Sequence, residues 1–279
     1  MWRLAIKDLF SERAQLFVSL GGVAAAIVLV LFLQGIVEGS AEQLVAYVAR
    51  ADADVWVMQE GVSNMHMASS TLPRRLEATL RSAPGVKDTT PILYASGFVE
   101  AGGQRWLSYI VGVPQGAPRG GPWAMARSVE TPGTGQAVVP EALARKAGAD
   151  IGETVHIMGR EFQVVGLSNG TFSMANSVTF VSYADMESML ASPGAVSYLL
   201  VKAGPGVSPA ALAERIRQAA PGVNAMPRDA FVESDRSMAR QMGADLVSIM
   251  GVDRWTATFF LDHQGTSNCL GCQEQRPES

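Results

Sequence analysis

The sequence predicts an α+β protein: one N-terminal transmembrane helix followed by a two-lobed mixed α/β domain outside the membrane. Three observations predict it. Residues 14–37 run for 24 positions without a charge, and a helix rising about 1.5 Å per residue needs roughly 20 apolar residues to cross a bilayer. Short β-rich runs and short amphipathic helices then alternate along the chain. Finally, with 279 residues, 48% hydrophobic and 17% charged, the roughly 200 residues behind the span suffice for one domain or two small lobes.

The apolar segment fits a retained anchor better than a secretory leader. Gly39-Ser40-Ala41 offers small residues for cleavage, but the apolar core exceeds the usual 7 to 15 residues, and Asp8 and Glu12 stand among the basic residues before it. Arg3, Lys7 and Arg13 precede the span and only Arg50 follows closely. The basic-side rule therefore puts the N-terminus in the cytoplasm and everything after Ser40 outside. In residues 1–13, Trp2, Ile6, Leu9 and Phe10 recur at helical spacing. This fits either a helix lying flat on the inner leaflet or a cytoplasmic stub of the spanning helix. Gly21 with Ala25, and Gly22 with Ala26, place small residues four apart, a pattern that lets a second membrane helix approach closely, although Gly and Ala are also ordinary in such helices.

Composition and motifs exclude several classes of function. A net charge of −4 with no basic cluster leaves no nucleic-acid footprint. No phosphate-binding loop, dinucleotide fingerprint or nucleophile elbow is present. His66, His156 and His263 are scattered, without the spacing of a helical zinc pair. Met58, Met65, His66 and Met67 cluster in one outer loop and carry ligand types suited to Cu(I), but methionine more often fills irregular apolar contacts. Cys269 and Cys272 are the only cysteines and form half of a zinc or redox spacing with no second half. The expectation is therefore no enzyme activity, no cofactor and no metal, in a domain stabilised by its core rather than by disulfides.

In chain order, residues 41–50 extend the membrane helix outward and residues 53–58 form a strand. Ser70 or Thr71 caps a helix with Pro73 in its first turn and Leu72, Leu76 and Leu80 on one face. Pro84 and Gly85 stop it. Residues 92–100 and 105–113 read as a hairpin joined through Ala101-Gly102-Gly103-Gln104. The stretch 114–135, with four prolines and five glycines, reads as a surface connection. A strand at 137–139, a helix at 141–147, and strands 155–157 and 162–164 across Met158-Gly159-Arg160 follow. Residues 178–181 are a strand and 183–190 a helix. Strand 197–202, helix 209–219 and strand 223–226 then repeat the β-α-β order of the first part, and Ala83-Pro84-Gly85-Val86 recurs as Ala220-Pro221-Gly222-Val223.

The ordered set resembles the permease subunit of ABC transporters of the MacB/FtsX type. Residues 137–167, AVVPEALARKAGADIGETVHIMGREFQVVGL, carry the strongest local match, and Asp54-Val55-Trp56-Val57-Met58 resembles the strand after the first span. The resemblance covers about residues 1–252 and implies a MacB-like periplasmic core in the inner membrane. It also implies a non-catalytic permease working with a separate cytoplasmic ATPase, a possible permease homodimer and a possible envelope partner. The division expected from the residues is a cytoplasmic segment 1–13, a membrane helix 14–37 and an outer domain 38–241, whose second lobe is inserted in the first. Within the outer domain, lobe 1 takes about 50–132 and 191–241 and lobe 2 about 133–190. Residues 242–252 read as the start of a second membrane helix, and 253–279 as a polar tail of the kind a truncated or frameshifted reading leaves. The rival expectation is a single-span sensor or binding module.

Overall fold

The computed structural model describes residues 13–249 apart from 67, 129–130 and 174–176. Residues 1–12 of the amphipathic segment 1–13, the tail 253–279 with both cysteines, and the reading of its origin lie outside the described residues. The chain divides into two units, residues 1–37 with 239–279, and residues 38–238.

Helix α1, Arg13–Leu44, carries the expected span, and α2, Ala46–Arg50, follows after a break at Val45. The stretch 41–50 thus extends the first helix only to Leu44. Beyond it, Tyr47 and Val48 turn inward and are at most 3% exposed.

The second unit begins with β1, Val55–Gln59, β2, Leu72–Pro73, and α3, Arg75–Arg81. The helix starts later than its capping signal suggests. Leu72 and Pro73 instead pair with β10, Ala195–Val196, as a two-stranded sheet that buries Leu72. Proline brings no N–H, and a two-residue edge pairing tolerates that loss.

Strand β3, Val86–Ala101, is followed by β4, Gln104–Val113. Their turn is tighter than the four-residue link expected, because Ala101 and Gln104 are themselves a pair and only Gly102 and Gly103 lie between. Both glycines have positive φ, 55° and 72°, as a primed two-residue turn requires. A Cβ on Gly102 would stand 2.1 Å from the Ala147 carbonyl oxygen, which excludes any side chain there.

Two bodies of sheet share β3. Its first half pairs antiparallel with β11, Tyr198–Ala203, which pairs with β1, which pairs with β12, Val223–Pro227. With α3 and α6, Pro209–Ala219, the spatial order β12-β1-β11-β3 is the split β-α-β-β-α-β arrangement. The repeated Ala-Pro-Gly-Val tetrapeptide sits at the same place in both halves. Gly85 and Gly222 have φ of 91° and 84° in the turns that lead from α3 into β3 and from α6 into β12, a left-handed conformation that favours glycine.

Strands β1 and β11 are buried on both faces, which explains their unbroken apolar text. Val55, Val57, Leu199 and Val201 pack with Leu80, Leu212 and Ile216 from α3 and α6. Trp56, Met58, Tyr198 and Leu200 face the other way, into a core with Tyr47, Phe180 and Phe231.

The second half of β3 enters a ring. The remaining elements are β5, Met125–Ser128; β6, Gln136–Pro140; α4, Glu141–Ala147; β7, Thr154–Ile157; β8, Arg160–Ser168; β9, Val178–Ser182; and α5, Tyr183–Met189. Pairing runs β3-β4-β9-β6-β8-β7 and returns to β3 through Val99 with Ile157 and Glu100 with His156. Six strands therefore close on themselves, and the interior is filled by side chains including Val99, Ile110, Val139, Ile157, Phe162 and Leu167, as in small barrels. The β3–β4 hairpin, which the sequence assigns to the first lobe, supplies two strands of this ring.

The connection 114–135 is less superficial than its prolines and glycines suggest. Arg119 is 9% exposed and pairs with Asp88 at 2.6 Å, Tyr47 donates to the Gly120 carbonyl at 2.8 Å, and β5 pairs with β8. The last helix, α7, covers Arg228–Ile249.

Candidate functional site

The first feature is the surface of α1. Residues Leu20–Leu44 form a 25-residue stretch whose most apolar 18 residues have a mean hydropathy of 2.5. Phe17, Leu20, Val28, Leu31 and Phe32 are 62–71% exposed. The helix is long and apolar enough to cross a bilayer, and among the described residues nothing covers this surface. A Cβ built on Gly21 or Gly22 meets nothing within 4 Å, so the small-residue row with Ala25 and Ala26 is open for close approach.

The second is the root of the outer unit, where the chain enters and leaves. Ala41 and Val45 on the way in, and Phe231 and Val232 on the way out, are at most 8% exposed. Arg236 of α7 lies 2.8 Å from Glu42 of α1 and 2.6 Å from Glu233. Hydrogen bonds to Glu233 and Glu42, outweighing partial burial, hold the guanidinium still more firmly protonated than usual.

The third is a polar and aromatic cluster above that root. Asp235 of α7 is completely buried and accepts the Met65 N–H at 2.8 Å. Its Oδ1 is 3.4 Å from His66 Nδ1, and Oδ2 has no hydrogen-bond partner among the described residues. The His66 ring meets Tyr109 edge-on at 5.0 Å, and Tyr109 stacks on Tyr94 at 5.3 Å. Tyr94 meets Tyr198, which meets Trp56 and Phe231. Burial, reinforced by Tyr109, Tyr198 and Asp235, pushes the Tyr94 phenol up, and burial with Asp235 does the same to Tyr198. These phenols stay neutral.

Beside the cluster lies a cavity of about 430 Å³, lined by residues 65, 66 and 68–71, by 93–96 of β3, and by Leu190, Ser192 and 195–197. His66 belongs to both. The methionine cluster is divided: Met58 and Met65 are core residues at 0% and 2% exposure, and Met67 lies outside the described residues. Among the described residues no group of three His, Cys, Asp or Glu gathers around one point, and His156 pairs with Glu161 on the ring, away from His66. Asp235 escaped sequence reading, although its spacing of four from Phe231 puts both on one helix face.

The model of the MacB-like periplasmic core domain matches residues 16–219. The chain belongs to that family. The MacB-like core is the outer-domain family of ABC-type transporter permeases, whose members are generally non-enzymatic and work with ABC ATPase subunits that hold the ATPase activity. Among solved structures, the periplasmic region of MacB from Actinobacillus actinomycetemcomitans is 14% identical, with TM-score 0.49, over 69% of this chain and 97% of that one. The extracellular domain of the noncanonic ABC-type transporter YknZ from Gram-positive bacteria is 11% identical, with TM-score 0.48, over 63% of this chain and all of that one. No curated protein matches the chain. A MacB-like core behind one apolar N-terminal helix agrees with an inner-membrane protein that has an extracytoplasmic domain.

Proposed function

We propose that this chain is a non-catalytic permease component of an ABC-type transporter or mechanotransmission complex. Its N-terminus is cytoplasmic and residues 38–241 act as one outer domain beyond the inner membrane. The observation that carries the reading is the root: an apolar, exposed α1 leads into a MacB-like core, and the core's last helix returns to pair Arg236 with Glu42 at the entry point. A displacement of α1 along its axis then pulls on both Glu42 and α7, so movement made elsewhere by an ATP-hydrolysing partner has a short path into the outer domain.

Gly21, Gly22, Ala25 and Ala26 are proposed as the face on which another membrane helix packs, either of a second copy or of the permease bundle. Without a hydrophobic driving force in lipid, close backbone approach supplies the attraction. Filling that face with Gly21→Leu and Gly22→Leu weakens association without changing membrane retention.

The test is purification of the tagged full chain from membranes in mild detergent. Retention of a P-loop ATPase, lost in the Gly21→Leu/Gly22→Leu chain, supports the reading. A chain that purifies alone, whatever nucleotide is added, supports the rival single-span binding module.

A further inference from the structure

We infer that the 430 Å³ cavity is a binding site for a small uncharged hydrogen-bonding molecule, and that His66 and Asp235 carry its occupancy to α7. The coupling half rests on the reading of α7 as the element that leaves the outer domain toward the membrane. The binding half does not depend on it.

The ligand class follows from the wall. Among the described residues no Asp, Glu, Lys or Arg lines the cavity. Against the buried part of the wall, formed by Ser70, Leu93, Val196 and Ser197, a charged ligand would surrender its hydration with no opposite charge in return, a loss that hydroxyls do not recover. The polar lining is hydroxyl and imidazole: His66, Ser69, Ser70, Thr71, Ser96 and Ser197 supply most of it. Ser70 Oγ already accepts the Gln59 N–H at 2.9 Å, and Ser197 Oγ accepts the Tyr94 N–H at 3.0 Å. Each is fixed in place by the bond it accepts. Leu93, Leu190 and Val196 give the rest of the wall an apolar character, so the occupant is a neutral molecule with both faces, at the small end of the usual 300–1,000 Å³ range of ligand sites.

The route to α7 is one side chain long. The His66 side chain is 7% exposed and its Nδ1 lies 3.4 Å from Asp235, which is itself 0% exposed. Tyr109 packs edge-on against the His66 ring and is itself backed by Tyr94. An occupant touching His66 presses the ring toward Asp235 and fixes the register of α7 against the loop at Met65, whose N–H the same carboxylate accepts.

The experiment uses the full chain in detergent with Cys269 and Cys272 changed to serine. A thiol is placed in the cavity by Ser192→Cys, or by Ala195→Cys in a second chain, both half-buried lining residues, and on the exposed hairpin tip by Gln104→Cys. Three methanethiosulfonates of similar size are compared: hydroxyethyl (neutral), sulfonatoethyl (anionic) and trimethylammonioethyl (cationic). The cavity thiols, normalised to Gln104→Cys, react with the neutral reagent on the order of tenfold faster than with either ion. Equal rates overturn the ligand class. The tethered hydroxyethyl group then serves as occupant: it slows amide exchange at residues 231–238, and Asp235→Asn abolishes that slowing while leaving the labelling preference intact. Unchanged exchange after tethering overturns the coupling. Neither result bears on whether an ATPase co-purifies, so failure here and failure of the permease reading are told apart.

Discussion

Leu212, Ala213 and Ile216 on α6 are at most 1% exposed, whereas Leu20, Val28 and Leu31 on α1 stand 62–65% exposed. These six side chains are of the same apolar kind. On α6 a polar side carrying Glu214, Arg217 and Gln218 tells the helix which face to show water, and the apolar face closes onto β1 and β11. On α1 there is no polar side, and burying one face would leave the others in water. Burial in protein satisfies the first helix, and the second has the length and apolarity that a bilayer satisfies. Stability of the outer unit and retention in the membrane are therefore separable properties, each with its own sensitive residues.

The largest separation comes from Trp56→Ala. Trp56 is fully buried and meets Tyr47, Tyr198 and Phe231, so truncation lowers the outer domain's stability by about 3–5 kcal/mol. Chemical denaturation read at the outer domain detects the loss, while the protein stays in the membrane fraction. The reverse case is Val28→Arg, which raises the insertion cost of α1 by about 2.5–3.5 kcal/mol and releases part of the protein from membranes. Its outer domain keeps the parent denaturation midpoint, and Val28→Leu is neutral in both assays.

Smaller changes sharpen the contrast within the outer unit. Ser208 caps α6 by accepting the Ala211 N–H, and Ser208→Ala costs about 1 kcal/mol, measured as a shift in midpoint at unchanged denaturant slope. The smallest effect is pH-dependent. Partial burial raises the Asp88 carboxyl, but the Arg119 hydrogen bond, the Thr89 N–H and the charges of Arg119 and Arg81 outweigh it and hold the group below the usual carboxylate range. A group held low in the folded state contributes stability above its unfolded value, and that contribution is lost as pH falls through the folded value. Asp88→Asn therefore flattens the acid side of the stability profile, where the parent protein declines. At 35% exposure the effect is modest.

The sequence made local order legible and left distant closure hidden. The helix at Glu141–Ala147, the turn through Met158 and Gly159, and the Pro-Gly turns that follow α3 and α6 depend on residues within a few positions of one another. The ring closes through Val99 with Ile157, and nothing near either residue records its partner. Thr71 and Pro73 carry real helix-start chemistry, but tertiary pairing of Leu72 with Val196 overrode it. The connection 114–135 reads as surface because Pro and Gly dominate it, and buried Arg119 is visible only once Asp88 is placed beside it. For the candidate site, His66 stood out as a chemically unusual residue. Asp235 sat in a charged run, Glu233-Ser234-Asp235-Arg236, that looks solvated, and only its helical spacing from Phe231 points inward.

The central claim is that α1 holds the outer domain on the far side of the inner membrane. Gln104→Cys, at the exposed tip of the β3–β4 hairpin, in a chain with Cys269 and Cys272 changed to serine, tests it in intact spheroplasts with a membrane-impermeant maleimide. The account predicts labelling before lysis, with the labelled protein retained in the pellet after alkaline carbonate. Labelling only after lysis, or a labelled protein that carbonate strips from the membrane, would contradict it.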